Sequence, residues 1–172
     1  MSSARSQRLA REFKTLSTKP PWGVSCSTEK EDVYDVILIN MSGPKNSPYE
    51  SGIFKLIINV PDKYPFEPPQ VKFVTPVYHP NIDSVGRICM NMLKMPPKGS
   101  WLPTITIETL LISIQTLLAN PNPDDPLVLE IALEFKCNKD EFLEKAKRYT
   151  KEHATIHLWL NSSWIILSVI TW

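Results

Sequence analysis

Proline sets the outer limits on what this chain can become. The 172 residues include 16 prolines, gathered at 61–80 and 121–126, with a further pair at Pro20-Pro21. Each proline removes a backbone donor and fixes φ, so neither a helix nor a central strand runs through such a stretch. Glycine is scarce, at 5 residues, so these segments predict stiff loops rather than a disordered tract. The prolines leave spans that suit single elements, and the length suits one domain with a sizeable core. Residues 1–153 show neither an internal repeat nor a linker and are taken as that core domain.

Between the breaks, hydrophobic periodicity names the elements. Residues 3–17 predict an amphipathic helix, with Leu9, Phe13 and Leu16 on one stripe and Arg5, Arg8, Arg11 and Lys14 around it. Strands are expected at 23–28, 33–40, 53–60 and 70–73, with a turn cluster at 43–48. Short connections favour an antiparallel meander, and helices segregated before and after it give an α+β class. Residues 105–119 carry Ile107, Leu110, Leu111, Ile114, Leu117 and Leu118 on one face and predict the core helix, ended by Pro121. A short helix is expected from Asp125, an N-cap followed by Pro126, and a last one from Asn138 with Glu141 as a capping-box-like pair. That last helix is expected to bury Phe142, Ala146, Tyr149 and His153.

Residues 79–89 cannot be regular, because Pro80, Asn81, Asp83, Ser84 and Gly86 punctuate them. Ile82, Val85, Ile88 and Met90 nonetheless predict a loop packed on the core, and ordered loops are where function tends to sit. It ends at Cys89. A thiol can carry an acyl group as a thioester, and an amide donor such as Asn81 would hold the oxyanion formed when that thioester is attacked. The plain alternative is that Cys89 is a small buried hydrophobe and Asn81 closes a turn.

Tyr78-His79-Pro80-Asn81-Ile82 followed by Gly86-Arg87-Ile88-Cys89 resembles the active-site signature of the ubiquitin-conjugating enzymes. Tyr64-Pro65-Phe66-Glu67-Pro68-Pro69 matches that family's proline-rich loop, and Pro121-Asn122-Pro123-Asp124-Asp125-Pro126-Leu127 its second active-site wall. The lengthened loop Leu93 to Trp101 is similar to that of the T-type branch, which serves DNA-crosslink repair. The resemblance runs from about Ser6 to His153. It implies the UBC fold: a four-stranded meander with an N-terminal helix, a central core helix and two C-terminal helices. It also implies a function. Cys89 takes ubiquitin as a thioester from the activating enzyme, which is where ATP is consumed, and passes it to substrate lysines with a RING-type ligase. Asp125 would orient the incoming lysine, and Asn81 would stabilise the oxyanion or the loop that places it. Tyr78, His79, Pro80, Asn122 and Leu127 would shape the loops. Arg5, Arg8 and Arg11 would meet the activating enzyme and ligase, with Phe66, Trp101 and Pro103 as further ligase contacts. Lys94, five residues after the cysteine, would be a site of self-modification.

Composition narrows the partners. With 19 basic and 18 acidic residues the net charge is +1, which gives no basic footprint for nucleic acid. The cysteines, Cys26, Cys89 and Cys137, are odd in number and widely spaced, and the 3 histidines lack ligand spacing. Neither a disulfide framework nor a metal centre is expected, and no bound cofactor. No secretory leader is read at the start, and a nuclear and cytoplasmic location is expected. Residues 154–172 contain no Asp, Glu, Lys or Arg. Three readings of this tail stand: a marginal membrane anchor, an apolar strip folded on the domain, or a variant C-terminus from altered splicing. Two rival functions are an inactive conjugating-enzyme-like binding module, which normally lacks the cysteine, and a cysteine hydrolase, which would need His79 as base.

Overall fold

The structure, a computed structural model, describes residues 3–155. The three readings of the tail concern residues 154–172, of which 156–172 lie outside the described residues. Among the described residues, no helix is long and apolar enough to cross a membrane.

The first helix, α1 (Ala4–Thr18), starts at Ser3, whose hydroxyl caps the Ser6 N–H. Leu9 and Leu16 are buried, and Phe13 is half-buried 5.1 Å from the Tyr34 ring. Four strands follow as a meander in the order β1 (Val24–Thr28), β2 (Val36–Ser42), β3 (Ile53–Asn59), β4 (Gln70–Phe73), every neighbour antiparallel. The register pairs Ile39 with Cys26 on one side and Leu56 on the other, and Leu56 in turn with Phe73. Alternation puts Ile37, Ile39, Met41, Phe54, Leu56 and Ile58 on one buried face. β2 begins three residues later than the pattern suggests. Asp32 takes a left-handed φ of 57° and the Val33 N–H bonds back to Lys30, so Val33 stays on an exposed turn.

The core helix, α2 (Ile107–Ala119), is capped by the Thr106 hydroxyl on the Thr109 N–H and buries Ile107, Leu110, Leu111, Ile114 and Leu118. Then come α3 (Leu129–Cys137) and α4 (Lys139–His153). α3 does not start at Asp125 as expected. Its N-cap position is Val128, with no side-chain bond, because Leu127 and Val128 both donate their N–H to the Pro80 carbonyl, at 2.9 Å each. That tie holds residues 124–128 non-helical across the neighbouring loop. At α4 the Asn138–Glu141 pair exists, but as a side-chain bond of 2.6 Å rather than a backbone cap. Phe142 and Ala146 are buried as expected, with Thr150 beside them, while Tyr149 and His153 stay half-buried, their rings edge to face with centroids 4.2 Å apart.

The loop after β4 is pinned to the sheet edge. Gly86 accepts the Phe73 N–H at 2.9 Å with a left-handed φ of 82°, and a Cβ there would lie 1.9 Å from the Phe73 carbonyl oxygen. Ile82 and Ile88 pack inward. Val85 does not: it is 63% exposed, at the tip of a turn in which Asp83 accepts the Val85, Gly86 and Arg87 N–H groups. Gly86→Ala combines backbone strain with a backbone clash, so a loss of at least about 3 kcal/mol is expected from the urea midpoint at unchanged slope. A loss below about 1 kcal/mol would show that the loop can leave β4 freely.

Candidate active site

Three successive residues of the loop are each fastened to a different part of the core. The Tyr78 carbonyl accepts the Tyr49 hydroxyl at 2.7 Å, and the Tyr78 hydroxyl donates to Glu134 at 3.1 Å. His79 is fully buried. Its Nδ1 accepts the Asn81 N–H at 3.0 Å, so Nε2 carries the proton and donates to the Leu117 carbonyl, 3.0 Å away at the end of α2. Pro80 takes the two N–H groups of Leu127 and Val128. Burial pushes the His79 imidazole down to about 4, so it is neutral at pH 7. An imidazole enclosed this way, with both nitrogens occupied, is a loop support and not a base for Cys89.

Asn81 closes the cleft from below. It is 1% exposed, and its Nδ2 donates to the Asn122 carbonyl at 2.8 Å and the Asp125 carbonyl at 3.0 Å. Its Oδ1 accepts the Asn122 N–H at 2.9 Å, and its backbone carbonyl takes the Cys89 N–H at 2.9 Å. One amide thus joins the cysteine loop to the second wall. Both of its N–H bonds are used, so it serves an oxyanion only if one of them opens.

Above that staple the Cys89 sulfur is half-exposed between opposite charges. Lys94 Nζ donates to Sγ at 3.5 Å, and Sγ lies 3.6 Å from Asp125 Oδ2. Lys94 is aimed by the compact loop behind it, where Asn91 accepts the Lys94 and Ser100 N–H groups and the Lys94 carbonyl accepts the Trp101 N–H. An open pocket nearby, about 490 Å³ between Pro68, Pro69, Val71, Ile88, Leu93 and Met95, leaves Cys89 outside. An open thiol beside a carboxylate and an amine suits acyl carriage and transfer to an amine brought by a large partner. Among the described residues, no three His, Cys, Asp or Glu side chains gather as a metal set.

The residues expected to meet partners separate into two kinds. Phe66 is 70% exposed on its proline loop, and Pro103 is exposed with Leu102 beside it. Trp101 is 1% exposed and donates Nε1–H to the Pro65 carbonyl at 2.8 Å, so it supports the loop and offers no surface of its own. Arg11 lies exposed. Arg5 is tied to Asp35 and to the Val60 and Pro61 carbonyls, and Arg8 to Glu12 and the Pro103 and Ile105 carbonyls. Tyr49 and Glu12 went unremarked in the sequence, since their partners lie 29 and 52 residues away and no local pattern couples them.

Known proteins are similar to this chain over most of its length. A family model described as "Ubiquitin-conjugating enzyme" matches residues 8–150. Over 150 residues the chain is 55% identical to "Ubiquitin-conjugating enzyme E2 T" of Danio rerio, covering 87% of this chain and 77% of that one. The protein of the same name in Homo sapiens is 52% identical over 150 residues, 87% of this chain and 76% of its own length. "Ubiquitin-conjugating enzyme E2 13" of Schizosaccharomyces pombe is 42% identical over 148 residues, 86% and 97% respectively.

The buried imidazole makes stability acid-sensitive in one window. The unfolded chain takes up a proton near pH 6.5 that folded His79 does not accept until about 4. His79 therefore contributes no penalty above pH 6.5, and stability falls as pH drops from there to 4, by about 3 kcal/mol in all. In His79→Gln that segment of the stability–pH curve is expected to flatten. An unchanged slope in urea melts at pH 6.5, 5.5 and 4.5 would refute it.

Proposed function

The chain belongs to the ubiquitin-conjugating enzyme family, and from that membership we propose how its own residues carry ubiquitin. The Cys89 sulfur attacks the thioester on the activating enzyme, whose own thiol leaves, and Cys89 then holds ubiquitin's C-terminal carboxyl. A substrate lysine next attacks that carbonyl. The new amide forms, the Cys89 thiolate leaves, and the proton lost by the amine passes to solvent beside Asp125. The observation that carries the reading is the half-exposed sulfur 3.6 Å from the Asp125 carboxylate. Asn81 acts through the wall it holds, and His79, Pro80, Tyr78, Asn122 and Leu127 act through the loops they fasten. The protein works without a bound cofactor, and ATP is consumed upstream. Phe66, Leu102 and Pro103 present the ligase surface. Its setting is the monoubiquitination step of DNA-crosslink repair in the nucleus. Identities of 51–55% to relatives named E2 T, against 42% to two others, support that branch.

Incubation with activating enzyme, ATP and ubiquitin tests the chemistry, with related modifiers run alongside. A thiol-sensitive adduct is expected on the intact chain, none on Cys89→Ala, and a thiol-resistant one on Cys89→Ser. An adduct that survives Cys89→Ala would refute the assignment. Cys26→Ala and Cys137→Ala should charge normally.

Lys94 supplies a second outcome. Its amine lies 3.5 Å from the sulfur that bears the thioester, where intramolecular capture competes with any external lysine. Charged protein left without ligase is expected to accumulate a thiol-resistant monoubiquitinated form that Lys94→Arg largely removes. Peptide mapping of the modification to Lys145, Lys147 or Lys151 instead would deny the loop lysine any special access.

A further inference from the structure

Outside the cleft, three donors converge on one carboxylate. Glu12 projects from α1, its side chain only 11% exposed. It accepts Arg8 Nε–H at 2.6 Å, the Ile107 N–H at 2.8 Å, and the Tyr64 hydroxyl, which lies 2.8 and 2.9 Å from its two oxygens. Arg8 continues the ring, donating to the Pro103 carbonyl at 2.6 Å and the Ile105 carbonyl at 2.9 Å, with its guanidinium 5.3 Å from the Tyr64 ring centre. Trp101 closes it through the Pro65 carbonyl. The first helix, the proline loop and the loop before α2 are thereby one rigid unit. The outer rim of that unit carries Phe66, Leu102 and Pro103.

We propose that Glu12 is the positioning residue of the ligase-docking surface, holding the loops of Phe66, Leu102 and Pro103 in register through Arg8, Tyr64 and the Ile107 amide. The proposal rests on the reading that these exposed residues dock a ligase. Its physical basis is the number of donors. A carboxylate has acceptor sites for all three, whereas an amide of the same shape turns an N–H₂ group onto two of them. Burial and then the Glu12 charge raise the Tyr64 phenol, which keeps that hydroxyl a donor. Two loops left free to move must be ordered again on every encounter, which weakens binding without altering a contact residue.

The test is the affinity of a RING domain, chosen because it accelerates discharge of the charged wild-type chain. It is measured by fluorescence anisotropy below every variant's unfolding midpoint. Phe66→Ala is expected to weaken binding about tenfold or more, and Glu12→Gln about five- to tenfold. Added to Phe66→Ala, Glu12→Gln should cost clearly less than it does alone, because one of the side chains it positions is gone. Discharge onto free lysine without ligase should stay within about twofold in Glu12→Gln, since Cys89 and Asp125 are held by other bonds. If Phe66→Ala binds like the wild type, the ligase reading itself fails. If Phe66→Ala binds weakly while Glu12→Gln does not, or the two losses add in full, the docking surface stands and the positioning role is overturned. Should Glu12→Gln not fold, Tyr64→Phe removes one donor only and enters the same cycle, with a loss of about two- to fivefold expected.

Discussion

The site depends on one buried amide. A polar side chain sealed from water must satisfy every donor and acceptor or lose several kcal/mol, and Asn81 does so by bonding across to Asn122 and Asp125. That need is what fixes the two walls of the cleft relative to each other. His79 is bound by the same rule, bonding Asn81 on one side and the end of α2 on the other. The cysteine loop has no regular structure of its own. Its rigidity comes from polar groups buried where only one arrangement satisfies them all.

Rigidity below the cleft permits openness above it. In the proposed reaction Cys89 meets the activating enzyme, ubiquitin's terminus and a substrate lysine in turn, so its sulfur cannot lie deep. It is half-exposed, outside the cavity beside it, with Lys94 and Asp125 on either side. The Asp125 side chain is exposed beside that sulfur, while its backbone carbonyl is held by Asn81.

Glu12 is the contrasting case. Its carboxylate lies inside, surrounded by donors from three segments, and its value is geometric. The two carboxylates thus differ in burial and in partners: Asp125 stands exposed beside the Cys89 sulfur, and Glu12 is enclosed by donors of its own chain. The arginines divide the same way. The family resemblance turns Arg5 and Arg8 toward partners, but their guanidinium groups donate to carbonyls of the same chain.

The sequence by itself determined the elements and their order, and it singled out Cys89 as the candidate nucleophile. Hydrophobic period and proline position are local signals, so α1, the four-strand meander and α2 were legible within a few residues. Cys89 with its flanking motifs was legible as a family signature. Tertiary structure decided what no local signal encodes. Asp125 reads as an N-cap because Pro126 follows it, yet two long-range bonds to Pro80 delay α3 to Leu129. The family resemblance makes Trp101 a ligase contact, but the side chain is buried and donates its N–H to the proline loop. Val85 reads as a core residue by type, and the Asp83 turn lifts it into solvent. For Asp125 and Trp101 a hydrogen bond between residues distant in sequence outweighed a local preference worth no more than about 1 kcal/mol, and for Val85 a tight turn overrode side-chain type. Lys94 is the sharpest case: sequence put it five residues from Cys89, and only the loop closed by Ser100 and Trp101 aims its amine at the sulfur.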